Sequence, residues 1–182
     1  MSSRAYEKLQ FAIKSFNIDI KNKVAADFGA STGGFTKCLL DNGAIKVYAI
    51  DTAYGELDWN LRNNTKVVAL ERNNAMHIKL PEFMDLVVID VGWTPQIKIL
   101  PNALNNLKKT GLIISLIKPH YEASKTMLYR GKLKEIHLNE VIEKVKNDIL
   151  SLNLSISAFI ESPLEGKSAG NKEFLALLKP LP

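Results

Sequence analysis

The 182-residue chain is short of several things, and each shortage excludes a class of protein. It has one cysteine, Cys38, so no internal disulfide can form and the sequence fits a reducing compartment. Its three histidines, His77, His120 and His137, have no metal-ligand spacing, and no metal site is expected. No apolar run approaches the roughly 20 residues that cross a bilayer. The start, MSSRAYEKLQ, lacks the hydrophobic core of a secretory signal, so a cytoplasmic protein without a membrane contact is expected. Internal repeats and low-complexity segments are also missing. What is present is a globular composition, 46% hydrophobic and 24% charged, in a length suited to one domain spanning residues 1–182. Lys plus Arg exceed Asp plus Glu by 24 to 19, and the net charge of +5 permits attraction to phosphate without requiring it.

The stretch DFGASTGGF, from Asp27 to Phe35, organises the rest. The apolar run Val24 to Ala26 ends in Asp27, and Phe35, Leu39 and Leu40 begin a helical pattern, which reads as strand, turn and helix. Glycine lets the backbone approach a ligand closely, and free N–H groups at a helix start favour anionic groups. A cofactor is expected across Asp27, Gly29, Ala30, Ser31, Thr32, Gly33, Gly34 and Phe35; a tight structural turn is the competing reading. Ser31 stands where a dinucleotide fingerprint needs its second glycine, and the lysine of a P-loop is absent. A nucleoside-type ligand without a pyrophosphate fits, such as S-adenosylmethionine. KVYAI ends in Asp51, whose carboxylate can accept the ribose hydroxyls. Asn73 and Asn74, past the third strand, are placed for an adenine edge or are plain turn residues.

Ser3 is expected to cap a first helix, residues 3–17, with Ala5, Leu9, Ala12, Ile13 and Phe16 on one face. Arg4 and Lys8 project together from its edge, as site residues or as solvated ones. Further strands are expected at 46–50, 67–70, 86–89 and 111–118, and helices at 35–41, within 53–64, at 95–109 with a break near Pro101, and at 136–150. Two closing strands fall within 151–162 and 171–179, and 120–134 reads as a substrate-side loop. The alternation predicts an α/β fold, a three-layer Rossmann-like sandwich with a mostly parallel seven-stranded sheet. Asp27, Asp51, Asp90 and Lys118 all end strands, where the ligand crevice of such a sheet lies. Asp90 and Lys118 end neighbouring strands and can pair within reach of one substrate oxygen. Arg4, Lys125, Arg130, Lys132 and Lys167 flank the opening as phosphate contacts or belong to the ordinary surface.

SRAYEKL, VAADFGASTGGFTKCLL, VYAIDTAYGELDWNLR, ALERNNA, DLVVIDVGW, ISLIKPHYE and GNKEFLALL together resemble the FtsJ-like RNA ribose methyltransferases, and most closely the TlyA (hemolysin A) group that acts on ribosomal RNA. The resemblance implies transfer of a methyl group from S-adenosylmethionine to a ribose 2'-hydroxyl of RNA, with ribosomal RNA or a ribosomal subunit as partner. Carried over motif by motif, the family's catalytic tetrad falls on Lys8, Asp90, Lys118 and Glu173. Lys118 is then the expected proton acceptor, with Lys8 and desolvation favouring its neutral form, Asp90 orienting it and Glu173 positioning Lys8. Members of the TlyA group ordinarily carry a small N-terminal RNA-binding domain of the kind found in ribosomal protein S4. This sequence opens on the catalytic region, so an RNA-binding partner protein is expected in its place. VGWTPQ stands where the family typically has a serine and a phenylalanine, and Trp93 is either a substrate contact or packing at the sheet's mouth. The readings that compete with the enzyme are a non-catalytic RNA-binding or cofactor-sensing protein and a small-molecule methyltransferase.

Overall fold

The structure, a computed structural model, describes residues 3–166 and 170–181. Ser3 caps the first helix, α1 (Arg4–Ser15): its Oγ accepts the Tyr6 N–H at 3.1 Å, meeting one of the free donors of the first turn. Next, β1 (Val24–Phe28) runs through the glycine turn into α2 (Gly34–Asp41), and β2 (Lys46–Asp51) leads through α3 (Trp59–Arg62) to β3 (Val67–Glu71). There follow β4 (Met84–Ile89), α4 (Gln96–Asn105), β5 (Leu107–Ile117) and the short α5 (Pro119–Glu122). A small hairpin, β6 (Leu128–Tyr129) and β7 (Lys132–Leu133), precedes α6 (Leu138–Ser151), β8 (Leu154–Glu161) and β9 (Phe174–Pro180).

Seven strands make one sheet in the order β3-β2-β1-β4-β5-β9-β8. The pairs from β3 through β5 are parallel, and β9 lies antiparallel between β5 and β8. Side-chain alternation divides the central strand between two cores: Leu86 and Val88 pack with α1 and α2, while Val87 and Ile89 pack with α4 and α6. Burial on both faces explains why β4 reads as an unbroken apolar run. Strand order reverses between β1 and β4, and the crevice beyond their carboxyl ends is where such sheets take ligands.

Three local expectations need correction. The helix expected to reach Lys109 stops at Asn105, because the Asn106 side chain accepts from Leu80 N–H at 2.8 Å and donates to Ile78 O and Asn102 O. Lys108 consequently lies in β5 and pairs with Asp85 at 2.8 Å. Pro101 does not break α4; it only leaves the Ile97 carbonyl without an i+4 donor. Residues 120–134 are not a plain loop but contain α5 and the β6–β7 hairpin, whose turn residues Arg130 and Gly131 both have positive φ, the geometry of a tight two-residue hairpin turn.

Candidate active site

Asp90 follows β4 directly, and its N–H donates to Phe28 O at 3.0 Å, which closes the ends of β1 and β4 together. Gly29, at φ 91°, lies against the Asp90 carbonyl so closely that any Cβ would collide with it. Beside this junction a cleft of about 340 Å³ is lined by Gly29, Ser31, Asp51, Asn73, Asn74 and Asp90, among others. The Asp51 carboxylate accepts the Ser31 and Ala53 N–H groups, both at 2.8 Å, and keeps further lone pairs for a ligand. Asn73 donates to Glu71 O and Asn74 accepts from Met76 N–H, each at 2.9 Å, so both side chains also shape the turn that walls the cleft.

Asp27 is fully buried, and the charges of Asp90 and Asp51 both act on it. One of its oxygens, Oδ2, accepts the Thr36 hydroxyl at 2.7 Å; Oδ1 has no hydrogen-bond partner among the described residues. Burial pushes its carboxyl up to about 7, against the opposing hydrogen bond from Thr36. Asp27 does not itself line the cleft, so toward a cationic ligand such as S-adenosylmethionine it would act through its charge rather than by contact. The second half of the glycine turn packs closely against neighbouring elements. Phe35 is 2% exposed in the core beneath α1 and α2. Gly33 abuts Leu57 and Leu61, Gly34 abuts Ser3 and Ala5, and Ala30 packs on Leu57, so none of these four lines the cleft. Glycine is needed at 33 and 34 because Leu61 of α3 and the start of α1 approach there.

A second, larger cleft of about 750 Å³ meets the first at Asp90 and is lined by Lys8, Thr32, Lys118, His120, Tyr121 and Glu173, with Arg4 at its edge. Lys118 Nζ lies 2.5 Å from Asp90 Oδ1 and donates to Val91 O at 3.3 Å. Lys8, reaching in from α1, pairs directly with Glu173, the residue before β9, and both are buried. Four charged side chains from four elements thus share one cleft as two ion pairs. The charge of Lys8 is compensated by Glu173, so it acts on Lys118 less strongly than a bare ammonium would.

The pattern that defines the FtsJ-like methyltransferases matches residues 1–179. This chain belongs to that family. It is 39% identical over 185 residues to Hemolysin A of Brachyspira hyodysenteriae, covering 96% of this chain and 75% of that protein. It is 36% identical over 184 residues to the 16S/23S rRNA (cytidine-2'-O)-methyltransferase TlyA of Mycobacterium tuberculosis, covering 97% and 68%. A candidate hemolysin from Streptococcus thermophilus superposes with a TM-score of 0.94 at 33% identity, over 98% of this chain and 66% of that one. The chain therefore spans between 66% and 75% of the length of these relatives. The largely parallel seven-stranded sheet is that of Rossmann-like S-adenosylmethionine-dependent methyltransferases.

Around the site of this FtsJ-like methyltransferase, three rings stand out that periodicity alone does not mark. Trp93 is 85% exposed with φ 58° and rests on Tyr121 at 4.8 Å between centroids, so it is not packing at the mouth of the sheet. Tyr121 also touches His120 at 4.1 Å. Burial, and then the neighbouring Lys118 charge, hold His120 down at about 4, so it is neutral at pH 7. Of the basic residues expected to flank the opening, Arg4 does so while its guanidinium donates to Glu165 O at 2.7 Å. Lys132 borders a small side pocket shared with His120, Lys125 and Arg130 lie outside the lining of both clefts, and Lys167 lies outside the described residues. Among the described residues no helix is long and apolar enough to cross a membrane, and no three acidic, His or Cys side chains are grouped to hold a metal.

Proposed function

We propose that this FtsJ-like methyltransferase transfers a methyl group from S-adenosylmethionine to the 2'-hydroxyl of a ribose in RNA, with ribosomal RNA as the expected substrate. The observation that carries this reading is the meeting of the two clefts at Asp90, with the Lys118–Asp90 and Lys8–Glu173 pairs on the far side. On this reading Asp51 accepts hydrogen bonds from the cofactor ribose, Asn73 and Asn74 border its base, and the buried Asp27 acts on its cationic end through charge alone. Bound there, the cofactor supplies a methyl carbon already activated by a sulfonium.

Such a carbon needs mainly an in-line nucleophile, and the chain's own residues provide the placement. Asp90 and Lys118 hold the 2'-hydroxyl between them. With S-adenosylmethionine bound, Lys118 would accept the hydroxyl proton once its own extra proton has been released. Glu173 keeps Lys8 fixed at the rear of the cleft. An open cleft of about 750 Å³ beside the exposed Trp93, which rests on Tyr121, favours a polymer with an accessible base over an enclosed small molecule. The name of the Mycobacterium tuberculosis relative, an rRNA cytidine-2'-O-methyltransferase, agrees with this choice. The test is transfer of labelled methyl from S-adenosylmethionine to total RNA from cells lacking the protein, followed by mapping of the modified ribose. Label on a base, or none on RNA, contradicts the proposal.

A further inference from the structure

The β6–β7 hairpin borders a small side pocket that shares His120 with the larger cleft, and it carries chemistry that the catalytic reading leaves unused. From Ala123 to Lys134 the sequence ASKTMLYRGKLK holds four basic side chains and no acidic one. The root of the hairpin is anchored: Leu133 is buried in the core, and Lys134 N–H donates to Met127 O at 3.0 Å. The tip is exposed. Tyr129 is 64% exposed, and the Arg130 guanidinium lies over its ring at 5.5 Å, so a flat aromatic face and a cation are presented together.

Asn171 ties this arm to the segment that carries Glu173. Asn171, 4% exposed, accepts the Leu133 N–H at 2.9 Å and donates to Gly131 O at 3.0 Å. It stands two positions before Glu173 in the same extended segment. Its own carbonyl accepts the Gly166 N–H at 2.7 Å, and Gly166 in turn lies against Glu173 Oε1. Whatever displaces the arm therefore pulls on the segment that holds the Lys8–Glu173 pair.

We propose that the β6–β7 hairpin is a docking arm for a single-stranded stretch of RNA beside the target nucleotide, and that Asn171 is the positioning residue that couples the seated strand to Glu173. Tyr129 stacks an unpaired base, and Arg130 and Lys132 meet the adjoining phosphates. Stacking asks only for a π-face and so tolerates many sequences, whereas the cations set a salt dependence. The proposal rests on the RNA reading above.

The test uses the full chain and a short fluorescein-labelled oligouridine strand, followed by anisotropy at several salt concentrations, alone and hybridised to its complement. Tyr129→Ala should weaken binding of the single strand by about tenfold, the scale of one base–aromatic stack, and Tyr129→Phe should restore it. In Arg130→Ala/Lys132→Ala the salt slope should flatten by about 0.7 for each phosphate that is no longer neutralised. Asn171→Ala should lower single-turnover methyl transfer at saturating RNA while leaving the S-adenosylmethionine dissociation constant unchanged. Unchanged affinity and salt slope in the hairpin variants, equal binding of the hybridised strand, or equally effective displacement by polyglutamate would overturn the arm; an unchanged transfer rate in Asn171→Ala would overturn the coupling. The arm and the enzyme fail separately: methylation of RNA with no dependence on the hairpin defeats the arm alone, and hairpin-dependent binding with no methyl transfer supports the arm while defeating the enzyme.

Discussion

Asp90 and Lys118 meet at 2.5 Å across the carboxyl ends of two neighbouring parallel strands, β4 and β5. Neither strand end is free to slide, because Asp90 N–H is bonded to Phe28 O and Lys118 is followed at once by Pro119, the first residue of α5. The pair is thus fixed by the sheet, and a hydroxyl entering the larger cleft meets both members of the ion pair together.

The second pair has a structural consequence that can be measured apart from methyl transfer. Removing one partner of a buried ion pair leaves an uncompensated charge, so Glu173→Ala should cost about 3 to 5 kcal/mol of folding stability. Replacing both partners by apolar side chains, Lys8→Met with Glu173→Leu, should recover most of that stability without recovering methyl transfer. Urea unfolding of the two variants checks the first outcome and a transfer assay the second; a stable, active double variant would make the pair mere packing.

Asp27 gives the protein a pH signature. Its carboxyl titrates near 7 in the folded chain and near 3.8 when unfolded, so between those values the folded state holds the extra proton. Its contribution to stability is therefore greatest at acid pH and is lost as pH rises through about 7. A cationic ligand favours the ionised form, so binding should have the opposite trend: S-adenosylmethionine affinity should rise with pH up to about 7, by at most tenfold per unit, and then level off. Calorimetry in buffers of different ionisation enthalpy should show proton release on binding near neutral pH. Asp27→Asn should abolish both effects, and a flat wild-type profile would separate Asp27 from the ligand.

Helix α4 is capped from outside. Its own N-cap residue, Pro95, has no acceptor, and the Gln96 N–H donates instead to Glu122 Oε1 of α5 at 2.8 Å, while the Gln96 side chain accepts from Ser115 Oγ at 2.6 Å. These bonds tie the segment with Trp93 to the segment with Lys118 and Tyr121. Glu122→Ala should cost about 1 to 2 kcal/mol, as for removal of an ordinary helix cap, and Glu122→Gln should retain the acceptor and most of the stability. In a Trp59→Phe background Trp93 is the only tryptophan, and its emission should change in Glu122→Ala but not in Glu122→Gln. Identical emission in both would detach the cap from the placement of Trp93.

Part of this arrangement is legible in the amino-acid sequence. Asp27, Asp51, Asp90 and Lys118 each end an apolar strand pattern, and strand ends of a parallel sheet converge on one side, so their proximity follows from local signals. Lys8 and Glu173 are 165 positions apart and share no local pattern; only family resemblance points to them, because the contact depends on α1 packing beside β9. Gly33, Gly34 and Phe35 look like ligand contacts for a physical reason. Glycine that admits a ligand and glycine that admits a helix are alike in one sequence, and only the neighbours Ser3, Ala5, Leu57 and Leu61 tell them apart. His120 and Tyr121 lie in the four-residue α5 and Trp93 in the irregular stretch before α4, segments too short for a period to mark a face. The boundary at Asn106 is hidden because the side-chain bonds that end α4 involve residues 78 and 80, far off in sequence.

On the proposed mechanism Lys118, held by Asp90, takes the proton of a ribose hydroxyl. This step is tested most directly by single-turnover methyl transfer with saturating RNA and S-adenosylmethionine, comparing wild type with Lys118→Ala and normal RNA with RNA lacking the target 2'-hydroxyl. Lys118→Ala should slow the chemical step by roughly 10²-fold or more with both ligands still bound, and the deoxy substrate should accept no methyl group from the wild type. Near-wild-type chemistry in Lys118→Ala, or transfer to the deoxy-substituted nucleotide, would contradict that mechanism.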